Sequence, residues 1–312
     1  MHAIHRFICI GLLILSAIAS RAAGQGSAAA LPGTEPLTIE EPLDKVMVDG
    51  ITRFALRAIE ESVQQRAKLW VRDYSSADAY RKSVEPNRVR LQIIIGAGDP
   101  RIKTDGFELV AKVGENGIVA ESDLFDVYAV RWPVLAGVTG EGLLLQPKRG
   151  IKARVVALPD ADWTPEMMAG LADGVDAHLA IAARLAANEV QVVVPTLINR
   201  DDTYSGNPLV AYTNQPHREF IYRQAFELGR HVIGYEVEKV QAAVDEFERI
   251  NRSDGTDLPS GVVGVGEGGL LALYAAAIDT RIDAAMVSGY FRTRESVWEE
   301  PIYRNVWSLL TE

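Results

Sequence analysis

The chain has 312 residues, 48% of them hydrophobic and 24% charged, with a formal net charge of −10. That length suits one large α/β domain with an accessory segment, and the composition is that of an ordinary globular protein. The acidic balance and the lack of a dense Lys/Arg cluster argue against a nucleic-acid partner, because phosphate binding needs a basic face.

Residues Met1 to Ala23 carry a basic start at Arg6, an apolar run from Phe7 to Ala19, and small residues at Ala17, Ala19, Ala22 and Ala23. This is the form of a secretory signal peptide, spanning 1–24, with an apolar run short for a membrane span. An uncleaved N-terminal anchor is the alternative. Cleavage removes Arg6 and Arg21 and no acid, taking the charge from −10 to −12, and removes Cys9, the single cysteine. The expectation is a secreted or periplasmic protein with no stable membrane span after cleavage, held together by its core instead of by disulfides.

Residues 25–44 are rich in Ala, Gly, Pro and Ser without a sustained period and read as a flexible linker. In 45–85 the apolar residues Val46, Ile51, Phe54, Ile59 and Val63 recur at roughly helical spacing, and a shorter helix is expected around Ser76 to Val84, giving a helical accessory segment. After Pro86 the period changes. Val89 to Ile95, Phe107 to Val113, Gly117 to Ala120, Asp126 to Trp132 and Gly140 to Leu145 are short and β-rich, as in an antiparallel meander. The pattern then alternates. Strands are expected at Ala153 to Leu158, Val190 to Pro195, Gly261 to Val265 and Ala284 to Ser288. Helices are expected within Met167 to Asn188, from His231 to Ile250 and from Gly268 to Ile278. The fold class is therefore α/β, a mostly parallel sheet with helices on both faces, preceded by the helical segment and the meander.

In such a sheet ligands bind at the carboxyl ends of the strands, so the loops there hold the candidate chemistry. The most informative is the run Gly261 to Leu270, a buried strand entering a glycine turn and then a helix. Aligned as G-x-S-x-G on Gly264 and Gly268, its nucleophile slot holds Gly266, which has neither hydroxyl nor thiol. Gly264, Gly266 and Gly269 also satisfy the dinucleotide pattern G-x-G-x-x-G, but the next strand ends in Ser288-Gly289-Tyr290 with no acid to take a ribose hydroxyl.

The order of strand, Leu158-Pro159-Asp160-Ala161-Asp162 loop, alanine-rich helix, strand ending Pro195-Thr196, long loop, helix and Gly264-Val265-Gly266-Glu267-Gly268-Gly269 turn resembles the α/β-hydrolase superfamily. Within it the chain is most similar to secreted bacterial dienelactone hydrolase and acetyl xylan esterase-like proteins, over roughly Glu141 to Phe291. The resemblance makes 86–312 an α/β-hydrolase-like domain. It puts the nucleophile at the vacant Gly266, one backbone oxyanion donor at Glu267, and the second at Ala161 or Asp162. The triad acid and histidine should follow Ser288, but the remaining residues contain no histidine. A hydrolase sheet would continue past that strand, so the domain is expected to be incomplete at its C-terminus.

His217 and His231 lie in and after the long loop and are the alternative bases; His178 reads as a packed or solvated helix residue. Glu267 reads more readily as an acid complementing the start of its helix than as a nucleophile. Asp160, Asp162, Asp201 and Asp202 match no metal signature, and neither metal nor cofactor is expected. The functional expectation is a protein related to carboxylic ester hydrolases without a working triad, acting on a small ester or carbohydrate ester if active. Two alternatives stay open. One is a non-catalytic module holding a carbohydrate ester or protein partner, with Trp163, Tyr204, Tyr212 and Tyr290 as stacking candidates; the other is a dinucleotide-binding protein.

Overall fold

A computed structural model of the chain describes residues 31–103, 105–114, 116–206 and 215–308, with the side chains of 294–296 left aside. The signal peptide, the first part of the linker and Tyr212 lie outside the described residues. The chain divides after Ala58 into two compact units. In the first, residues 31–42 have little regular structure and lead into the start of α1 (Leu43–Arg66). There Met47, Ile51 and Phe54 are exposed.

In the second unit α1 ends and α2 (Ala77–Ile94) follows, capped by the Ser76 hydroxyl on the Ala79 amide. This helix runs through Pro86 and takes up Val89 to Ile94, with Ile95 at its C-cap, in place of the strand expected at Val89 to Ile95. Proline removes one intrahelical hydrogen bond, and the exposure of Pro86 leaves the freed carbonyl within reach of water. The expected strand at Phe107 to Val113 shrinks to β1 (Glu108–Leu109).

The meander is otherwise present: β2 (Ile118–Glu121), β3 (Phe125–Leu135) and β4 (Val138–Pro147) pair antiparallel, with β1 and β2 both on β3. Then come β5 (Ala153–Leu158), α3 (Pro165–Met168), α4 (Ile181–Ala186) and β6 (Val190–Pro195). Within Met167 to Asn188 the expected alanine-rich helix is limited to α4; α3 stops before Gly170, whose φ is 73°, and a 3-10 turn at Ala177–Leu179 precedes α4. After the loop come α5 (His217–Glu227), α6 (Val232–Asp254), β7 (Ser260–Val265), α7 (Glu267–Ile278) and β8 (Ile282–Ser288).

The strands form one sheet in the order β1-β3-β4-β6-β5-β7-β8, with β2 also on β3. β4 meets β6 antiparallel, and from β6 through β5 and β7 to β8 the pairing is parallel. Side-chain alternation separates two cores. Val156, Leu158, Val193 and Leu144 face α6 and α7 with Trp132, Phe247 and Leu270. Ala157, Val192, Val194, Leu143 and Leu145 face α3 and α4 with Met168 and Ala182. From β5 the chain moves first to β6 on one side and then to β7 on the other, so the topological switch point lies at the carboxyl ends of β5 and β7, where a crevice forms in open α/β sheets.

Candidate functional site

The loops after β5 and β7 meet at that switch point. Gly266 sits between β7 and α7 with φ 58° and ψ −117°, a conformation nearly closed to residues with a Cβ. Its amide donates to Ser288 O at 2.8 Å, anchoring the turn to the end of β8. Gly264 is glycine for a separate reason: a Cβ there would lie 2.0 Å from Gly268 O, so only a bare backbone lets β7 and the first turn of α7 pack this closely. This is the strained strand–turn–helix of a nucleophile elbow.

What fills the elbow is Asp160, from the loop after β5. A Cβ on Gly266 would lie 2.2 Å from Asp160 Oδ1. The same oxygen accepts the Glu267 amide at 2.7 Å. Arg200, from the loop after β6, donates to both Asp160 oxygens at 2.8 and 3.1 Å. Burial alone would raise the Asp160 carboxyl, but the Arg200 hydrogen bonds, the Glu267 amide, the Arg200 charge and the Ala161 amide outweigh it and hold the group below its ordinary value. The amides of Glu267 and Ala161, two of the expected oxyanion donors, thus both act on a carboxylate of the chain itself. Asp162, the other candidate, is half exposed, and its side chain accepts the amide and Nη1 of Arg200 at 3.1 and 2.8 Å.

The fully buried Glu267 side chain turns away from the elbow into an ion cluster with buried Arg218 and partly exposed Arg200 and Arg304. It accepts Arg218 at 3.1 Å on one oxygen, and Arg200 at 3.2 Å and Arg304 at 2.8 Å on the other. Arg218 forms a fork with Glu236 at 3.0 and 2.8 Å, its guanidinium 5.4 Å from the centre of the Tyr303 ring. Arg200 Nε donates to the Tyr303 hydroxyl at 3.1 Å, and Arg304 donates to Glu300 at 2.9 Å. A carboxylate held by three guanidiniums has its lone pairs committed and is poorly placed as nucleophile or base.

The histidines are engaged elsewhere. His217 Nε2 accepts the Tyr204 amide at 2.8 Å and Nδ1 donates to Asn199 Oδ1 at 2.6 Å, with the Tyr204 ring stacked on the imidazole. His231 caps α6: Nδ1 accepts the Ile233 amide at 3.0 Å, which leaves the proton on Nε2 for Asn305 O, also at 3.0 Å. Burial pushes the His231 imidazolium down to about 4. His178 is exposed. Asp201 and Asp202 remain on the loop surface, Asp201 taking the Thr203 hydroxyl at 2.6 Å. Among the described residues no group of three or more His, Cys, Asp or Glu side chains is placed to hold a metal ion. Trp163 and Tyr290 are partly buried, Tyr290 packing edge-on to Tyr274.

Sequence reasoning missed Arg200, Arg218, Arg304, Glu236 and Tyr303 as parts of this site. The available signal was Glu267 itself: an acid at the start of a helix packed between a sheet and other helices must find cations, and Arg200 lies in a loop already marked as adjoining the crevice. Arg218 carries no such signal, because the sequence around it reads as a long loop whereas the structure forms α5 there.

No family model and no curated protein matches the chain. Solved structures do. A putative acetyl xylan esterase from Bacteroides fragilis matches with 16% identity and a TM-score of 0.48, over 68% of this chain and 54% of that one. Acetyl xylan esterase 1 from Thermoanaerobacterium sp. matches with 13% identity and a TM-score of 0.42, over 71% of this chain and 64% of that one. A glucuronoyl esterase from Solibacter usitatus matches with 11% identity and a TM-score of 0.40, over 68% and 59%. The chain therefore spans between about half and two thirds of the length of these proteins. Its own strand order, parallel switch point and elbow make it an α/β protein of the α/β-hydrolase type.

Proposed function

We propose that this chain is an exported protein of carboxylic ester hydrolase descent that does not cleave esters at its elbow and instead uses the crevice as a binding module. The observation that carries this reading is the Asp160 carboxylate, which fills the volume of a nucleophile side chain at Gly266 while accepting the Glu267 amide. An acyl ester at this elbow meets no nucleophile, and an amide that would receive its oxyanion already holds a negative charge. Export rests on the signal-like N-terminus; no helix among the described residues is long and apolar enough to cross a membrane. The esterase likeness suggests a carbohydrate ester as the held ligand. A pyrophosphate at the glycine turn would have to displace Asp160 against its charge, so the dinucleotide reading is set aside.

The test is to incubate the chain with acetylated xylo-oligosaccharides, following melting temperature and free acetate together. A ligand bound only by the folded state raises its stability, so the reading expects a rise in melting temperature with no acetate released. Release of acetate at a saturable rate would overturn it.

A further inference from the structure

Away from the switch point, the segment 96–101 leads out of α2 and packs against the first turns of α6. Two glycines allow the contact. A Cβ on Gly96, whose φ is 70°, would lie 2.6 Å from His231 N, and a Cβ on Gly234 would lie 2.5 Å from Gly96 O. Ala97 is buried with Ile95 in the main core. Beyond it the contact turns polar. Glu238 of α6 is 1% exposed, and its Oε1 accepts the Asp99 amide at 2.9 Å. Its Oε2 is buried without a hydrogen-bond partner.

The cations near Glu238 hold other acids. Arg230 donates to both Asp99 oxygens at 2.6 Å. Arg101 donates to Asp245 at 2.8 and 3.2 Å and to Gln241 at 3.1 Å. On α6 itself, Tyr235 is close enough for the Glu238 charge to raise its phenol further above the ordinary value, after burial and Asp99. An ionised Glu238 therefore keeps one oxygen away from water with no donor, whereas the neutral acid retains the Asp99 bond at much lower cost. Burial raises the Glu238 carboxyl to about 7; the Asp99 amide, Arg101 and Arg230 oppose the rise and the Asp99 charge adds to it. Lifting the segment gives Oε2 access to water and returns the group towards 4.5. We infer that Glu238 is a proton-operated latch: as the neutral acid it closes the 96–101 segment on α6, and as the carboxylate it releases that segment while the sheet stays folded. The closed form holds the extra proton, so closure weakens as pH rises from about 4.5 to 7. This inference stands independently of the reading of the elbow.

The test is amide hydrogen exchange of the full chain, read by mass spectrometry at about pH 5 and 7.5 and corrected for the intrinsic pH dependence of exchange. In the wild-type chain the latch predicts that protection of the 96–101 segment falls at least about tenfold between these values, and that β5 and β6 stay at least about tenfold better protected at both. Glu238→Gln keeps an acceptor for the Asp99 amide and cannot ionise. Its 96–101 segment is expected to be equally protected at both pH values, with circular dichroism showing that the variant is folded. The wild-type measurement stands without the variant. Unchanged protection of the segment in the wild-type chain, protection no lower than that of β5 and β6, or the same fall in folded Glu238→Gln would each overturn the proposal.

Discussion

Asp160 Oδ1 accepts the backbone amide of Glu267 at 2.7 Å from a position only 2.2 Å from where a Cβ on residue 266 would stand. Two loops separated by 107 residues in sequence are thereby locked to each other at the switch point of the sheet. The glycine at 266 and the aspartate at 160 are complementary: the absence of a side chain at one position makes room for the other.

Restoring a serine at the slot should therefore not restore an esterase. Gly266→Ser introduces a Cβ at φ 58° and against Asp160, and the backbone strain alone is expected to cost about 1–3 kcal/mol. Asp160→Gly combined with Gly266→Ser should recover part of that loss, and a double-mutant cycle by urea denaturation measures the coupling. Simple additivity of the two substitutions would show that the residues do not compete for the same space.

Glu267→Gln keeps the shape of the side chain and removes the charge that Arg218, Arg200 and Arg304 share. Losing one partner of a buried ion pair typically costs roughly 3–5 kcal/mol, because the opposite charge stays desolvated. Equilibrium unfolding at neutral pH should show a loss of that order. A loss below about 1 kcal/mol would mean that the arginines are satisfied without Glu267, as at an exposed pair.

Two buried groups give opposite pH dependences. His231 falls from 6.5 to about 4 on burial, so the unfolded chain binds more protons between those values and stability falls as pH drops from about 6.5 to 4. Glu238 is raised from 4.5 to about 7, chiefly by burial and with Asp99 nearby, so the folded chain holds the extra proton and stability falls as pH rises from about 4.5 to 7. Its Oε1 accepts the Asp99 amide at 2.9 Å, while Oε2 is buried without a partner. His231→Asn, which can keep the α6 cap, should flatten the acid limb of the stability profile, and Glu238→Gln should flatten the opposing one. Profiles unchanged from wild type in both variants would contradict these assignments.

Gly264→Ala tests the packing of the elbow apart from its chemistry. The added methyl would stand 2.0 Å from Gly268 O, a contact that requires β7 and α7 to separate. Overpacking of this kind costs typically about 1–3 kcal/mol, which thermal or urea unfolding would detect. A wild-type melting temperature in this variant would mean that the turn is looser than described.

The parallel half of the fold was legible because its strands are continuous apolar runs closed by turn residues: Ala153–Leu158 and Val190–Pro195 have the boundaries that the sequence suggests. The glycine turn was legible because its backbone conformation at Gly266 and its close packing at Gly264 both disfavour a Cβ. Val89 to Ile95 misled because β-branched residues after a proline resemble a strand, whereas the helix passes through Pro86 and buries Ile95 against the main core. At the site, the vacancy at Gly266 could be read from one position, but its occupant could not. Asp160 reaches the elbow only through the pairing of β5 with β7, and Arg200 and Arg218 only through loop and helix placements that no local period encodes.

The central claim, that the elbow is closed to acyl transfer, is tested most directly by steady-state hydrolysis of 4-nitrophenyl acetate by the wild-type chain. The predicted result is release of 4-nitrophenolate no faster than with an equal concentration of an inert protein and without saturation. Saturable release whose kcat/KM falls at least about tenfold in a folded Asp160→Asn variant would contradict it, because it would place working chemistry where the Asp160 carboxylate lies.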